Sequence, residues 1–275
     1  MITALFASAA PLLLAGLGGL LSDLSGSLGI FLEGFMTLGS FISWAATYWT
    51  GSAFVGISLA VLISALLGFG LSRFVHLSGA NPFIAGLALN IAAAGIADAL
   101  SLAFFNTKGV LSDASVPAFG PLFLAQGPFV YIAVLSLLLV AFTISKTAVG
   151  LRLRASGRDS EALTERGIDV QKYRDGAWAC AAALAALGGA ALSFRIGAYA
   201  PGGVAGRGWI ALAAVYLGFR DARGIAIASL VFAGAELVSA QAQGTGLVPA
   251  SLLLGLPSAL ALLLFTLSSY FRRSP

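Results

Sequence analysis

The feature that most constrains this chain is a succession of apolar runs, most of them near the length that crosses a lipid bilayer. A membrane-spanning helix needs about 20 predominantly apolar residues. Such runs lie near residues 3–21, 30–48, 53–75, 82–105, 128–144, 177–193, 224–240 and 247–270, with a shorter one near 208–219. They are continuously apolar and do not alternate every second residue, so they predict helices and argue against a β-barrel. The expected fold is all-α: a polytopic transmembrane helical bundle of about nine spans, forming one domain over residues 1–275. Nine spans of about 20 residues take up about 180 residues, which leaves no length for a separate soluble domain. The first run lacks a basic leader and is followed by many equals, so it reads as a span and not as a signal peptide. The short run at 208–219 is expected to be a half-helix or a re-entrant segment.

Composition agrees. Hydrophobic residues make up 59% of the chain and charged residues 9%. Soluble proteins average about 25% charge, and a soluble globule could not hide this much apolar surface. Disorder, which needs low hydrophobicity, is excluded too. A single cysteine, Cys180, allows no internal disulfide, and a single histidine, His76, argues against a metal cluster.

The few charges are unevenly placed. Ser145–Asp175 carries Lys146, Arg152, Arg154, Arg158, Arg166, Lys172 and Arg174 together with Asp159, Glu161, Glu165, Asp169 and Asp175. The positive-inside rule puts this segment in the cytoplasm. Counting nine spans from it places the N-terminus outside and the C-terminus inside. Arg73, Arg220, Arg223, Arg272 and Arg273 then also face inward. The chain divides into a first half of about 1–127, a cytoplasmic segment 145–175 and a second half of about 176–275. The net charge of +4 is thus a topology signal, with membrane lipid and no nucleic acid as the implied partner.

Within that segment, Asp159 or Ser160 can cap a short helix starting near Glu161, and Gly167 can end it. Such a helix suits docking into a groove on another protein. A solvated loop that only fixes topology fits the composition equally well.

Two glycine-interrupted stretches stand out, Ser25–Ser40 and Gly202–Ala214. At an offset of 174, Glu33 aligns with Arg207, Gly34 with Gly208, Phe35 with Trp209, Met36 with Ile210 and Leu38 with Leu212. Similar broken segments in two halves of a transporter mark the substrate pathway and suggest an inverted repeat. A charge near the membrane centre is expensive and normally paired or beside a cavity. Simple packing of small residues explains the glycines as well. Asn90 falls inside an apolar run and can bond a substrate or a neighbouring helix; Asp98 and Glu236 can be proton-relay carboxylates or packing residues.

The ordered landmarks carry a resemblance. They are Ala10-Pro11-Leu12, Leu32-Glu33-Gly34, Asn81-Pro82-Phe83-Ile84-Ala85-Gly86 with Asn90, Gly150-Leu151-Arg152-Leu153-Arg154-Ala155, and Gly206 through Ala214. The chain resembles the membrane permeases of ATP-binding-cassette importers, in the family shared by ribose-type sugar and branched-chain amino-acid importers. Within it the chain looks most like the subgroup served by Bmp-type nucleoside-binding lipoproteins. Glu161, Ala162 and Gly167 match that class's coupling-loop pattern, while Leu163 departs from it. Gly29 and Phe31 stand where the subgroup has Asn and Gly, which sets a bulky ring beside the expected pathway.

The resemblance implies a substrate pathway at Glu33, Gly34, Phe35, Met36, Asn90, Arg207, Gly208, Trp209 and Ile210. It implies ATPase coupling through Arg152, Arg154, Arg158, Glu161, Ala162 and Gly167. The implied partners are an ATPase with two cassettes in one chain, a longer sister permease and an extracytoplasmic binding lipoprotein, all at a bacterial inner membrane. A nucleoside is the first expectation for cargo, with riboflavin-like compounds or simple sugars next. The chain has no Gly-x-x-x-x-Gly-Lys-Ser/Thr motif and no nucleophile–base set, so it is not expected to be an enzyme or to hold a cofactor; a partner would hydrolyse ATP. An ion-coupled secondary transporter acting alone is the alternative.

Overall fold

The computed structural model describes residues 2–120, 127–204 and 206–243. Among the described residues the fold is all-α apart from one two-stranded contact. In chain order the helices are α1 (Ile2–Leu24), α2 (Leu32–Thr50), α3 (Ala53–Ser78), α4 (Pro82–Phe105), α5 (Pro128–Lys146), α6 (Ala148–Arg158), α7 (Ser160–Glu165), α8 (Val170–Ile196), α9 (Arg207–Leu217) and α10 (Ala222–Gln243). Strands β1 (Leu111–Ser112) and β2 (Ala198–Tyr199) pair antiparallel, Leu111 opposite Tyr199.

Among the described residues six helices are long and apolar enough to cross a membrane: α1, α3, α4, α5, α8 and α10. The nine expected spans differ from this for three reasons. The run at 30–48 forms α2, which carries Glu33 and several hydroxyl residues and is buried along most of its length. Enclosed by other helices, it does not need the hydropathy of a lipid-facing span. The run at 208–219 forms α9, whose 11 residues are too short to cross. The run at 247–270 lies outside the described residues.

Helix α8 is the hub, packing on α1, α2 and α3. Small residues allow this. A Cβ at Gly39 of α2 would collide with the backbone of Ala186, and one at Gly189 with that of Met36. Gly18 of α1 meets the backbone of Ala181, and Gly68 of α3 that of Trp178, in the same way. Without a hydrophobic drive between helices in lipid, such close backbone approach is what holds a bundle. Deeper in the bundle, Phe31, Phe35, Met36 and Trp178 are fully or nearly fully buried in one cluster with Ala181, Ala182 and Ala185.

The charged segment is more structured than expected. Thr147 caps α6 by accepting from the Gly150 N–H, and Asp159 caps α7 by accepting from the Ala162 N–H at 3.1 Å. Gly167 ends α7 with φ +69°, as its place in the sequence predicts.

Two ion pairs fix the helix ends near this segment. Asp175 on α8 is 1% exposed and takes the Arg73 Nε at 2.7 Å, the Ser72 hydroxyl at 2.6 Å and the Gln171 amide at 2.7 Å. Asp23 takes Arg220 at 2.8 Å and the Tyr216 hydroxyl at 3.0 Å. Breaking one partner of a buried charged pair costs about 3–5 kcal/mol. Removing Arg73 (Arg73→Ala) leaves the Asp175 carboxylate enclosed. It should lower the thermal midpoint of the purified chain well beyond the change in an exposed control such as Arg158→Ala, as read by intrinsic-fluorescence melting.

Candidate substrate pathway and coupling surface

The two glycine-broken segments lie against one another. The chain turns between α1 and α2 at residues 25–31, and again between α8 and α9, where Gly197, Gly202 and Gly206 all have positive φ. The second turn delivers the N-terminus of α9 to the first turn of α2. Glu33 Oε1 accepts from the Gly206 N–H at 2.8 Å, and Oε2 accepts from the Gly208 N–H at 2.7 Å. One carboxylate thus satisfies two backbone donors that begin a helix, where the helix dipole also favours negative charge. Gly208 is required by this approach: a Cβ there would fall 2.5 Å from the Glu33 nitrogen.

Glu33 and Arg207 do not pair. Arg207 turns away to Glu236 of α10, Nε to Oε1 at 3.3 Å, and its Nη1 donates to the carbonyls of Gly203 and Val204. Glu33, Arg207 and Glu236 therefore all have partners, as membrane charges must.

Asn90 of α4 staples the same turn from the other side. Its Oδ1 accepts from the Gly34 N–H at 2.7 Å, and its Nδ2 donates to the Ile30 carbonyl at 2.7 Å. The amide is committed to a neighbouring helix. Replacing it (Asn90→Ala) orphans both groups, at about 1–3 kcal/mol each when buried. Uptake should fall, and Asn90→Asp should restore only the bond to Gly34; equal uptake by wild type and both variants would show the staple to be dispensable.

The expected pathway residues thus divide. Glu33, Gly34, Asn90, Arg207 and Gly208 come together around the two turns. Phe35 and Met36 are 0% exposed and belong to the core. Trp209 faces outward, and Ile210 packs with Leu12, Ala214 and Phe232. Phe31 fills the core, 4.7 Å from the Trp178 ring and 5.6 Å from that of Phe35.

Helix length sets the spacing between this junction and the end of α1. Tyr216, near the end of α9, bonds Asp23 at the end of α1. Eleven residues at 1.5 Å each put the start of α9 about 16 Å from that level, roughly half the bilayer core. A cavity of ≈ 320 Å³ opens beside this point, lined by Ser40, Ser193, Arg195, Ala200, Gly203 and Arg207 among others. Ser40 and Ser193 share a hydroxyl contact of 2.6 Å, and Arg195 donates to Ser8 at 3.0 Å. The sequence offered a signal for Ser40, the last residue of the aligned stretch, but none for Ser193.

At the other end, α6 and α7 present Arg158, Glu161 and Gly167 as exposed residues, with Arg154 and Ala162 half-buried; Leu153 and Leu163 are buried beneath. Arg152 donates to the Tyr173 hydroxyl at 2.9 Å, tying α6 to α8. The end of α6 touches the α1–α2 turn directly. A Cβ at Gly157 would collide with the backbone of Leu24 and Gly26, and Arg174 Nη2 holds the Ser156 carbonyl at 3.0 Å. One continuous stretch of chain therefore runs from the α6–α7 surface through residues 24–31 to Glu33.

The family model described as branched-chain amino acid transport system / permease component matches residues 1–267. The chain belongs to this permease family. A nucleoside ABC transporter permease protein, NupC, of Lactococcus lactis is 27% identical over 94% of this chain and 88% of its own length. The guanosine ABC transporter permease protein NupQ of Bacillus subtilis is 29% identical over 84% and 79%. A putative glucose ABC transporter permease protein, TsgC13, of Haloferax volcanii is 30% identical over 78% and 69%. In fold, the chain resembles PsaBC from Streptococcus pneumoniae, solved in complex with Fab, with a TM-score of 0.58, 14% identity, and coverage of 96% of this chain and 90% of that one. It is a multi-pass membrane permease component.

Proposed function

We propose that this chain is the pathway-forming subunit of an ATP-driven importer whose cargo is a nucleoside. The observation that carries the reading is the junction of α2 and α9, where Glu33 holds the start of a half-length helix beside a cavity lined in part by Ser40, Ser193, Arg195 and Arg207 and is reached by the chain from the α6–α7 surface. The names of two relatives supply the cargo class. In this reading Arg154, Arg158, Glu161, Ala162 and Gly167 meet the ATPase, while Glu33, Gly34, Asn90, Arg207 and Gly208 shape the pathway. The partners are a two-cassette ATPase, a longer sister permease and a binding lipoprotein. The two glycine-broken segments are halves of an inverted repeat, nine segments cross or enter the membrane, and the N-terminus lies outside.

The ion-coupled alternative draws on Glu33, Asp98 and Glu236, and it is disfavoured by the engagement of two of the three: Glu33 binds two backbone N–H groups, and Glu236 binds Arg207. The decisive experiment is reconstitution. Vesicles holding the chain with its ATPase, sister permease and binding protein should take up labelled guanosine only with ATP. Uptake by the chain alone, driven by an ion gradient, would refute the proposal.

A further inference from the structure

A second, quite different cavity lies on the far side of α8. Helices α5 and α8 barely touch; both lean on α1, and the cleft between them measures ≈ 560 Å³. Its walls are almost wholly apolar: Leu21 of α1 forms the floor, Leu139 and Val140 one side, Ala177, Ala183 and Leu184 the other, and Leu153 of α6 closes one end. A volume of this size suits a small hydrophobic ligand.

The closed end has a different chemistry. Lys172 and Tyr173 line it. Arg152 donates to the Tyr173 hydroxyl at 2.9 Å, which leaves that O–H free to donate onward. Lys146 sits one turn beyond Thr143 of the cleft, at the end of α5. The acidic group at this rim is Asp169, an exposed carboxylate 3.6 Å from Lys172; among the described residues no carboxylate pairs with Arg152 or Lys146. The result is an apolar groove opening sideways from the bundle and ending in three cations and a phenol. Those are the two halves of a phospholipid, a hydrocarbon chain and a phosphate, and basic clusters at a membrane surface select anionic lipid.

We propose that this cleft binds an anionic phospholipid from the leaflet on the α6–α7 side. One acyl chain lies between α5 and α8, and its phosphate meets Arg152, Lys172 and the Tyr173 hydroxyl. Because the same residues tie α6 to α8, the lipid braces the base of the coupling surface. The inference is independent of which cargo the protein carries.

The test uses the whole importer, purified in mild detergent and exposed to phosphatidylglycerol or phosphatidylcholine, with retained lipid counted by native mass spectrometry. Wild type should keep one phosphatidylglycerol per chain and release phosphatidylcholine. Gly176 lines the groove, and a Cβ there meets nothing within 4 Å, so Gly176→Phe fills the site without disturbing the helix and should abolish retention. Lys172→Ala should weaken it about fivefold, the effect of one basic residue near a lipid surface. Cys180 also lines the cleft and reports on it: maleimide labelling, read on its own peptide, should be slower in phosphatidylglycerol vesicles than in phosphatidylcholine vesicles. Equal retention of both lipids, no retained lipid, or retention surviving Gly176→Phe would each overturn the proposal. So would a Cys180 that is unreactive in both vesicles, the mark of a protein segment filling the groove.

Discussion

Replacing Glu33 with alanine is expected to stop ATP-driven uptake while the subunits still assemble. Among the described residues the carboxylate is the one partner of the Gly206 and Gly208 N–H groups beyond their own turn, and both sit where the half-length helix α9 begins. Losing a helix cap costs about 0.5–2 kcal/mol, and leaving buried donors unpaired costs about 1–3 kcal/mol each. A loss of about 3 kcal/mol shifts the balance between held and released α9 by about a hundredfold. The core cluster around Phe35 and Trp178 does not depend on the carboxylate, so assembly should persist. Glu33→Gln keeps the shape but sets an amide N–H against one backbone donor, so uptake should be intermediate. The measurement is guanosine uptake in vesicles beside size-exclusion of the complex; normal uptake by Glu33→Ala would end the pathway role.

Separating ATP hydrolysis from transport is the expected outcome of changes at the α6–α7 surface and its junction. Gly157→Leu must push α6 away from Leu24 and Gly26, because the obstacle is backbone and cannot rotate aside. Glu161→Lys reverses a charge on an exposed first turn, and Gly167→Trp puts a bulky side chain at a φ of +69°, where a side chain is strained by about 1–2 kcal/mol. In all three the complex should hydrolyse ATP at or near its basal rate, with uptake falling by about tenfold or more. Stimulation of ATPase by ligand-loaded binding protein should vanish in parallel. Unchanged ATP-dependent uptake in Glu161→Lys and Gly157→Leu would exclude this surface as the coupling element.

Much of the helix layout could be read from the chain because lipid imposes it locally. A long apolar run can satisfy its backbone in a membrane only as a helix, so α1, α3, α4, α5, α8 and α10 fall where the runs are. Caps are equally local: Asp159 and Gly167 frame α7 through bonds to residues within a few positions. Helix α6 escaped notice because its arginines read as a solvated loop, although Leu153 and Ser156 pin one face to the bundle. The short run at 208–219 folds as the half-length helix α9 that its length implies, while α2 falls below the hydropathy of the other long helices, since hydropathy reports how apolar a segment is and not whether lipid or protein surrounds it.

The two turns show where local reading stops. Sequence alone determined that Glu33 and Arg207 occupy matching places in two glycine-broken stretches, because that match is a property of the string. Only the tertiary structure decided that they do not form a pair. A charge in a membrane requires a partner, but its identity depends on which chain segments are brought near, here the amide groups of Gly206 and Gly208 for Glu33 and the carboxylate of Glu236 for Arg207. The same holds for Asn90, whose polar amide was conspicuous in an apolar helix but whose partners, Ile30 and Gly34, lie 60 and 56 residues away. Burial and caps follow from short-range chemistry, whereas the pairing of scarce polar groups is fixed by how distant helices pack.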